Sequence, residues 1–142
     1  MKKLKPEELM IGNWISFFGK TDTQVEGLST WDDIIQNSNC AERPLNQFEP
    51  IELTEEWLLK FGFKIADHKE YNLFLSKDYP RNYLNIHTNT DGEQKITVFC
   101  SDEDESSFML ENIKHVHQLQ NLYFALTNEE LKIISHEKTK SN

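Results

Sequence analysis

"KHVHQLQNLYFALTNEEL", Lys114 to Leu131, decides between two architectures and two chemistries. As a strand it puts His115 and His117 on one side, where two imidazoles can share a metal ion. As a helix it sets the same pair about 200° apart around the axis, pointing away from each other. The apolar residues choose. Val116, Leu119, Leu122, Tyr123 and Leu126 recur at i, i+3, i+6, i+7 and i+10, which is one helical face. Gln118, Asn121 and Ala125 fall on another side, as a solvent or partner face does. The stretch is read as a helix over 115–126 with His115 at its boundary. His68, His87 and His136 are scattered, without the spacing of a zinc finger, so no metal site is expected.

Working outward, "ELKIIS" (130–135) has the pattern of a closing strand, followed by a polar tail. Upstream, "SDEDESS" (101–107) is a loop with four consecutive acids, Asp102, Glu103, Asp104 and Glu105. "FMLENI" (108–113) either ends a sheet or begins the last helix. "FKIADH", "EYNLFLSKD", "YLNIHT" and "QKITVFC" alternate as strands, and Asp91-Gly92 between the last two suits a tight turn. Leu84 and Ile86 share one face and Ile96, Val98 and Cys100 another, so these are expected inward and His87 mostly wet.

"LTEEWLLKFGF" (53–63) is a short helix by its punctuation. Thr54 is the N-cap, Glu55 and Glu56 sit near the exposed amides of the first turn, and Gly62 follows the end. Such a short helix must pack Trp57, Leu58 and Phe61 against something. Before it, "FEPIEL" (48–53) is a short strand that Pro50 confines to a sheet edge. Residues 29–47 have weak periodicity and rich turn chemistry, and are read as a long loop with one helical turn at Trp31–Ile35. "FGKTD" is a turn between strands near 10–18 and 23–28. Residues 1–8 and 136–142 are expected to be frayed.

The chain has 142 residues, 37% of them hydrophobic and 11% aromatic, which suffices for one modest core and excludes global disorder. A single domain is the expectation. Net charge is −9, from 24 acidic and 15 basic residues. Affinity for nucleic acid comes largely from neutralising phosphates, so this balance argues against non-specific nucleic-acid binding and against an anionic membrane surface. The overall field favours cationic partners. The basic-then-apolar start is interrupted by Gly12, Asn13 and Ser16 and has no small-residue cleavage site, so neither a secretion signal nor a membrane span is expected. Cys40 and Cys100 are far apart without a Cys-x-x-Cys, which fits free thiols in a reducing cytoplasm.

"IGNWI", "PIELTEEWLLKFGF" and "VHQLQNLYFALTNEEL" together resemble a group of small, uncharacterised proteins of Bacteroidetes-type bacteria and their phages or mobile elements. The resemblance spans about half the chain and leaves 64–110 unmatched. The group's pattern has Tyr where His115 stands and Gly where Asn128 stands. A tyrosine there makes a two-histidine chelate unnecessary, and Asn128 fits a left-handed helix stop as glycine does. The resemblance carries no activity or cofactor.

Elsewhere the chain has no phosphate-cradling glycine motif, and "GKT" at Gly19–Thr21 lacks the upstream glycine of one. Cys100 at the end of an alternating strand reads as a small buried hydrophobe more readily than as a thiol nucleophile. Asp102–Glu105 lacks calcium-loop spacing and reads either as a solvated loop or as a docking patch for a basic surface. Trp14 and Trp57 read as core. Trp31, in a weakly patterned segment, is the candidate interface anchor.

The expected fold is α+β. A small, bent N-terminal β unit, somewhat like a Src-homology-type barrel, precedes an antiparallel sheet packed by one short and one longer helix. The expected function is that of a non-catalytic accessory or adaptor protein of a phage or mobile element, acting by protein–protein contact without a cofactor. Two alternatives stand beside it: an acidic charge mimic that inhibits a nucleic-acid-binding host system, and a small enzyme with a Cys/His site.

Overall fold

The computed structural model describes residues 3–29, 34–37, 42–67, 70–75, 83–88, 94–99, 107–110 and 113–134. It is an α+β fold in which the described residues form two five-stranded antiparallel sheets and two α-helices.

The first sheet contains β1 (Trp14–Phe17), β2 (Thr21–Ser29), β3 (Ile34–Asn37), β4 (Glu42–Pro44) and β5 (Phe48–Glu49), in the spatial order β4-β3-β2-β1-β5. β2 is nine residues long and serves both halves of the unit. Thr21–Gln24 of β2 pair with β1 and Val25–Ser29 pair with β3, and a register shift between Val25 and Gly27 lies within the β3 ladder. Such a bulge bends and twists a strand, which gives the N-terminal unit its curvature; the barrel is not closed. Inside the bend Ile15, Val25, Ile35, Leu45 and Phe48 form a core, joined by Leu4 and Leu9.

Three expectations change here. Residues 29–47 hold β3, β4 and a 3-10 turn at Leu45–Gln47, and Ile34–Ile35 is strand where a helical turn was expected. Strands of four and three residues are too short to show alternation, and pairing against β2 decides their state. The N-terminal segment is packed from Leu4 onward, with a 3-10 turn at Pro6–Glu8. Strand 48–53 is split at Pro50. β5 ends at Glu49, and the chain beyond it pairs elsewhere: Leu53 N–H donates to Lys114 O (3.1 Å), Val116 N–H donates to Ile51 O (2.9 Å), and Glu52 bridges His115. Proline lacks the donor a continued ladder needs.

The second half begins with α1 (Glu55–Lys60). Thr54 accepts a hydrogen bond from Trp57 N–H (3.4 Å), and Gly62 ends the turn at φ 93°. β6 (Lys64–Asp67), β7 (Glu70–Phe74), β8 (Tyr83–Thr88), β9 (Gln94–Phe99) and β10 (Ser107–Leu110) follow as a meander. Phe108 to Leu110, the first half of "FMLENI", therefore end the sheet as strand. Register aligns Tyr71 with Ile86 and Ile86 with Ile96, one continuous inward row. Leu84, Ile86 and Ile96 are fully buried, as the alternation required. His87, on the opposite face, is half-buried. Val98 and Cys100 have no described side chains, and Cys100 lies outside the described residues.

α2 (Val116–Thr127) closes this core with Val116 and Leu119, which meet Trp57, Leu58, Phe61, Phe63 and the inward row of the sheet. Trp57 is buried, and Trp14 reaches it from the other sheet with ring centroids 5.6 Å apart. After α2, Asn128 takes φ 59° and ψ 21°, the left-handed stop read from the sequence. The expected closing strand at 130–135 is instead an extended strap through residue 134. Leu131 is buried, and Ile134 N–H donates to Lys60 O (2.7 Å). Among the described residues the strap joins no sheet, and it is fastened at Lys60, the last residue of α1.

Candidate functional site

The opening stretch lands at the junction of the two halves. His115 is the N-cap of α2, with extended backbone at φ −124° and ψ 155°. That conformation takes its ring off the helical path, so the two histidines do not point apart as a continuous helix would require. Their rings stack with centroids 5.9 Å apart. Each has its own neighbour. Gln118 Oε1 accepts from His115 N–H (3.0 Å) and Lys114 N–H (2.8 Å), and lies 3.3 Å from His115 Nδ1. His117 is fully buried, with Nε2 3.1 Å from Glu8 Oε1. Gln118, three residues after the cap, reaches back to the cap's backbone as in a capping box, a spacing visible in the sequence. Among the described residues no group of three or more His, Cys, Asp or Glu is arranged to hold a metal ion.

One turn further, two amides fasten α2 to the N-terminal unit. Gln120 Oε1 accepts Trp14 N–H (2.8 Å), and its Nε2 donates to Gly12 O (3.0 Å). Asn121 Oδ1 accepts from Asn13 Nδ2 (2.9 Å), and Asn121 Nδ2 donates to Glu8 O (2.8 Å). Asn13 Oδ1 in turn accepts Met10 N–H (2.8 Å). The face assigned to solvent or a partner is thus partly internal: Gln118 and Asn121 are half-buried and Ala125 is exposed, while Gln120, which the spacing did not single out, is buried.

Beside these amides lies a cleft of about 100 Å³, well below the roughly 300–1,000 Å³ of a small-molecule or cofactor pocket. It is lined by the polar Asn13, Gln120 and Asn121, the apolar Met10, Ile11 and Phe124, and the carboxylate of Glu130. Gly12, at φ 95°, takes a backbone conformation that L side chains rarely adopt, and the Glu130 carboxyl group stands where its Cβ would project. Beyond this point α2 emerges from the cores. Leu119 is fully buried, whereas Phe124 and Leu126 are 39% and 36% exposed; Ile11 is 67% exposed. Tyr123, on the same helix, has its hydroxyl pKa raised above the usual tyrosine value by burial and then by the Glu129 charge.

Asp102, Glu103, Asp104, Glu105 and Trp31, the docking candidates read from the sequence, lie outside the described residues. The residues that meet at the cleft come from 10–13, 120–124 and 130. Sequence spacing does not announce them, although "GN" at 12–13 and "QLQN" at 118–121 carry its amides. No helix among the described residues is long and apolar enough to cross a membrane. Comparison with protein-family models, curated proteins and solved structures finds no match.

Proposed function

We propose that this protein is a non-catalytic accessory or adaptor protein that acts by protein–protein contact. One observation carries the reading. The half of α2 held by both cores is followed by a half whose Phe124 is open to water and lines the same cleft as the exposed Ile11. Exposed apolar side chains on a rigidly anchored element are the usual makings of an interface. The net charge of −9 supports a partner of opposite sign. The sequence resemblance supports a phage or mobile-element setting, and Cys40 and Cys100, far apart without a Cys-x-x-Cys, support a cytoplasmic location.

The test is affinity capture of the tagged full-length chain from nuclease-treated lysate, beside a Phe124→Asp variant whose melting temperature matches the parent. A stoichiometric partner retained by the parent and lost by the variant supports the reading; no such partner sinks it. Retention at low salt that vanishes at high salt, unchanged by the Phe124 substitution, would favour charge mimicry in its place.

A further inference from the structure

We infer that the cleft between residues 10–13 and α2 receives an arginine side chain of a protein partner. The inference deepens the interaction reading above and rests on it.

The amides that line the cleft make few demands on an occupant. The Gln120 side chain is engaged by Trp14 and Gly12, and that of Asn121 by Asn13 and Glu8. Gly12 O already accepts two donors, Gln120 Nε2 and Gln24 Nε2 (3.1 Å). What remains of the lining is the apolar Met10, Ile11 and Phe124 and a single carboxylate, that of Glu130. Glu130 forms no ion pair among the described residues. Gly12 makes room for it, because a Cβ at that position would collide with the carboxyl group.

A lining of apolar side chains with one carboxylate matches a side chain with an apolar stem and a cationic head. Arginine fits better than lysine. Its planar guanidinium can lie against the Phe124 ring while donating two parallel hydrogen bonds to one carboxylate. The size agrees: about 100 Å³ admits one long side chain and little more. The chain's net charge of −9 raises the local concentration of any basic partner.

The probe is N-acetyl-arginine amide, titrated into the ¹⁵N-labelled full chain at constant ionic strength. The readouts are the side-chain amide signals of Gln120 and Asn121 and the backbone signals of Ile11 and Gly12. Saturable shifts with Kd on the order of 1 mM are expected for a single side chain. The neutral isostere N-acetyl-citrulline amide should bind about fivefold more weakly, and Glu130→Gln should remove that preference while leaving the melting temperature unchanged. Absence of saturable shifts, equal binding of both amides, or an undiminished preference in Glu130→Gln would overturn the assignment. So would tighter binding of N-acetyl-leucine amide, which would give the cleft to an apolar side chain.

Capture from lysate with the parent and with Glu130→Gln separates the two levels of the argument. A partner held equally by both overturns the cleft assignment and leaves the adaptor reading standing. Binding of the arginine amide with no captured partner supports the cleft and removes the adaptor reading.

Discussion

The carboxyl group of Glu130 stands in the space that a side chain on Gly12 would fill, although 118 positions separate the two residues. This contact joins the N-terminal unit to the strap that follows α2. Gly12 is required for its φ of 95°; a side chain there would also displace the flexible end of Glu130, at little further cost.

Gly12→Ala should therefore destabilise the fold by about 1–2 kcal/mol from backbone strain, with displacement of Glu130 adding little. Urea unfolding of the variant checks the magnitude. A midpoint equal to that of the parent would mean that the backbone at residue 12 relaxes without cost.

Gln120→Leu should cost about 1–3 kcal/mol, because it orphans Trp14 N–H in a half-buried setting. Gly12 O keeps its bond from Gln24 and contributes less. Thermal unfolding reports the loss, and hydrogen exchange at the Trp14 amide should accelerate selectively.

Ile86→Ala removes the middle of the row from Tyr71 to Ile96 and should destabilise by about 2–5 kcal/mol. Removing a side chain from the opposite face of β8, as in His87→Ala, should cost far less, since His87 is only half-buried. The contrast, measured by chemical denaturation, tests the register as well as the packing.

Asn128→Gly should be neutral or mildly stabilising, whereas Asn128→Ala should lose about 1 kcal/mol, because the position is left-handed. Calorimetric melting of both variants distinguishes a backbone requirement from a side-chain one.

Stability should fall as the solution becomes strongly alkaline. The hydroxyl pKa of Tyr71 is raised above the ordinary value of 10.0 by burial, then by the charge of Glu55 and a hydrogen bond to it. A raised folded-state value means the native state holds its proton longer than the unfolded chain does. The contribution is complete below about pH 10 and is lost as pH climbs through the folded-state value. Tyr71→Phe should flatten that part of the pH profile, read from urea midpoints between about pH 9 and 11.

Local chemistry alone was enough for the elements whose signals are concentrated within a few residues. Thr54 with Glu55 and Glu56 announced the start of α1 and Gly62 its end, and both hold. The rhythm from Val116 to Leu126 announced α2, and Leu84, Ile86 and Ile96 announced the inward face of the second sheet. These signals survive because capping, turn conformation and period-2 or period-3.6 burial act over one or two turns of chain. By contrast, β3 and β4 left no such trace, since strands of four and three residues draw their state from the partner beside them.

The cleft belongs wholly to the second category. Met10 to Asn13, Gln120 to Phe124 and Glu130 meet because α2 buries Val116 and Leu119 on one side and bonds its amides to the N-terminal unit on the other. Sequence by itself determined the α+β class, the two helices and the core face of β8. Tertiary structure decided which side chains stand together at the junction, because contacts between residues more than a hundred positions apart follow from packing and not from local periodicity.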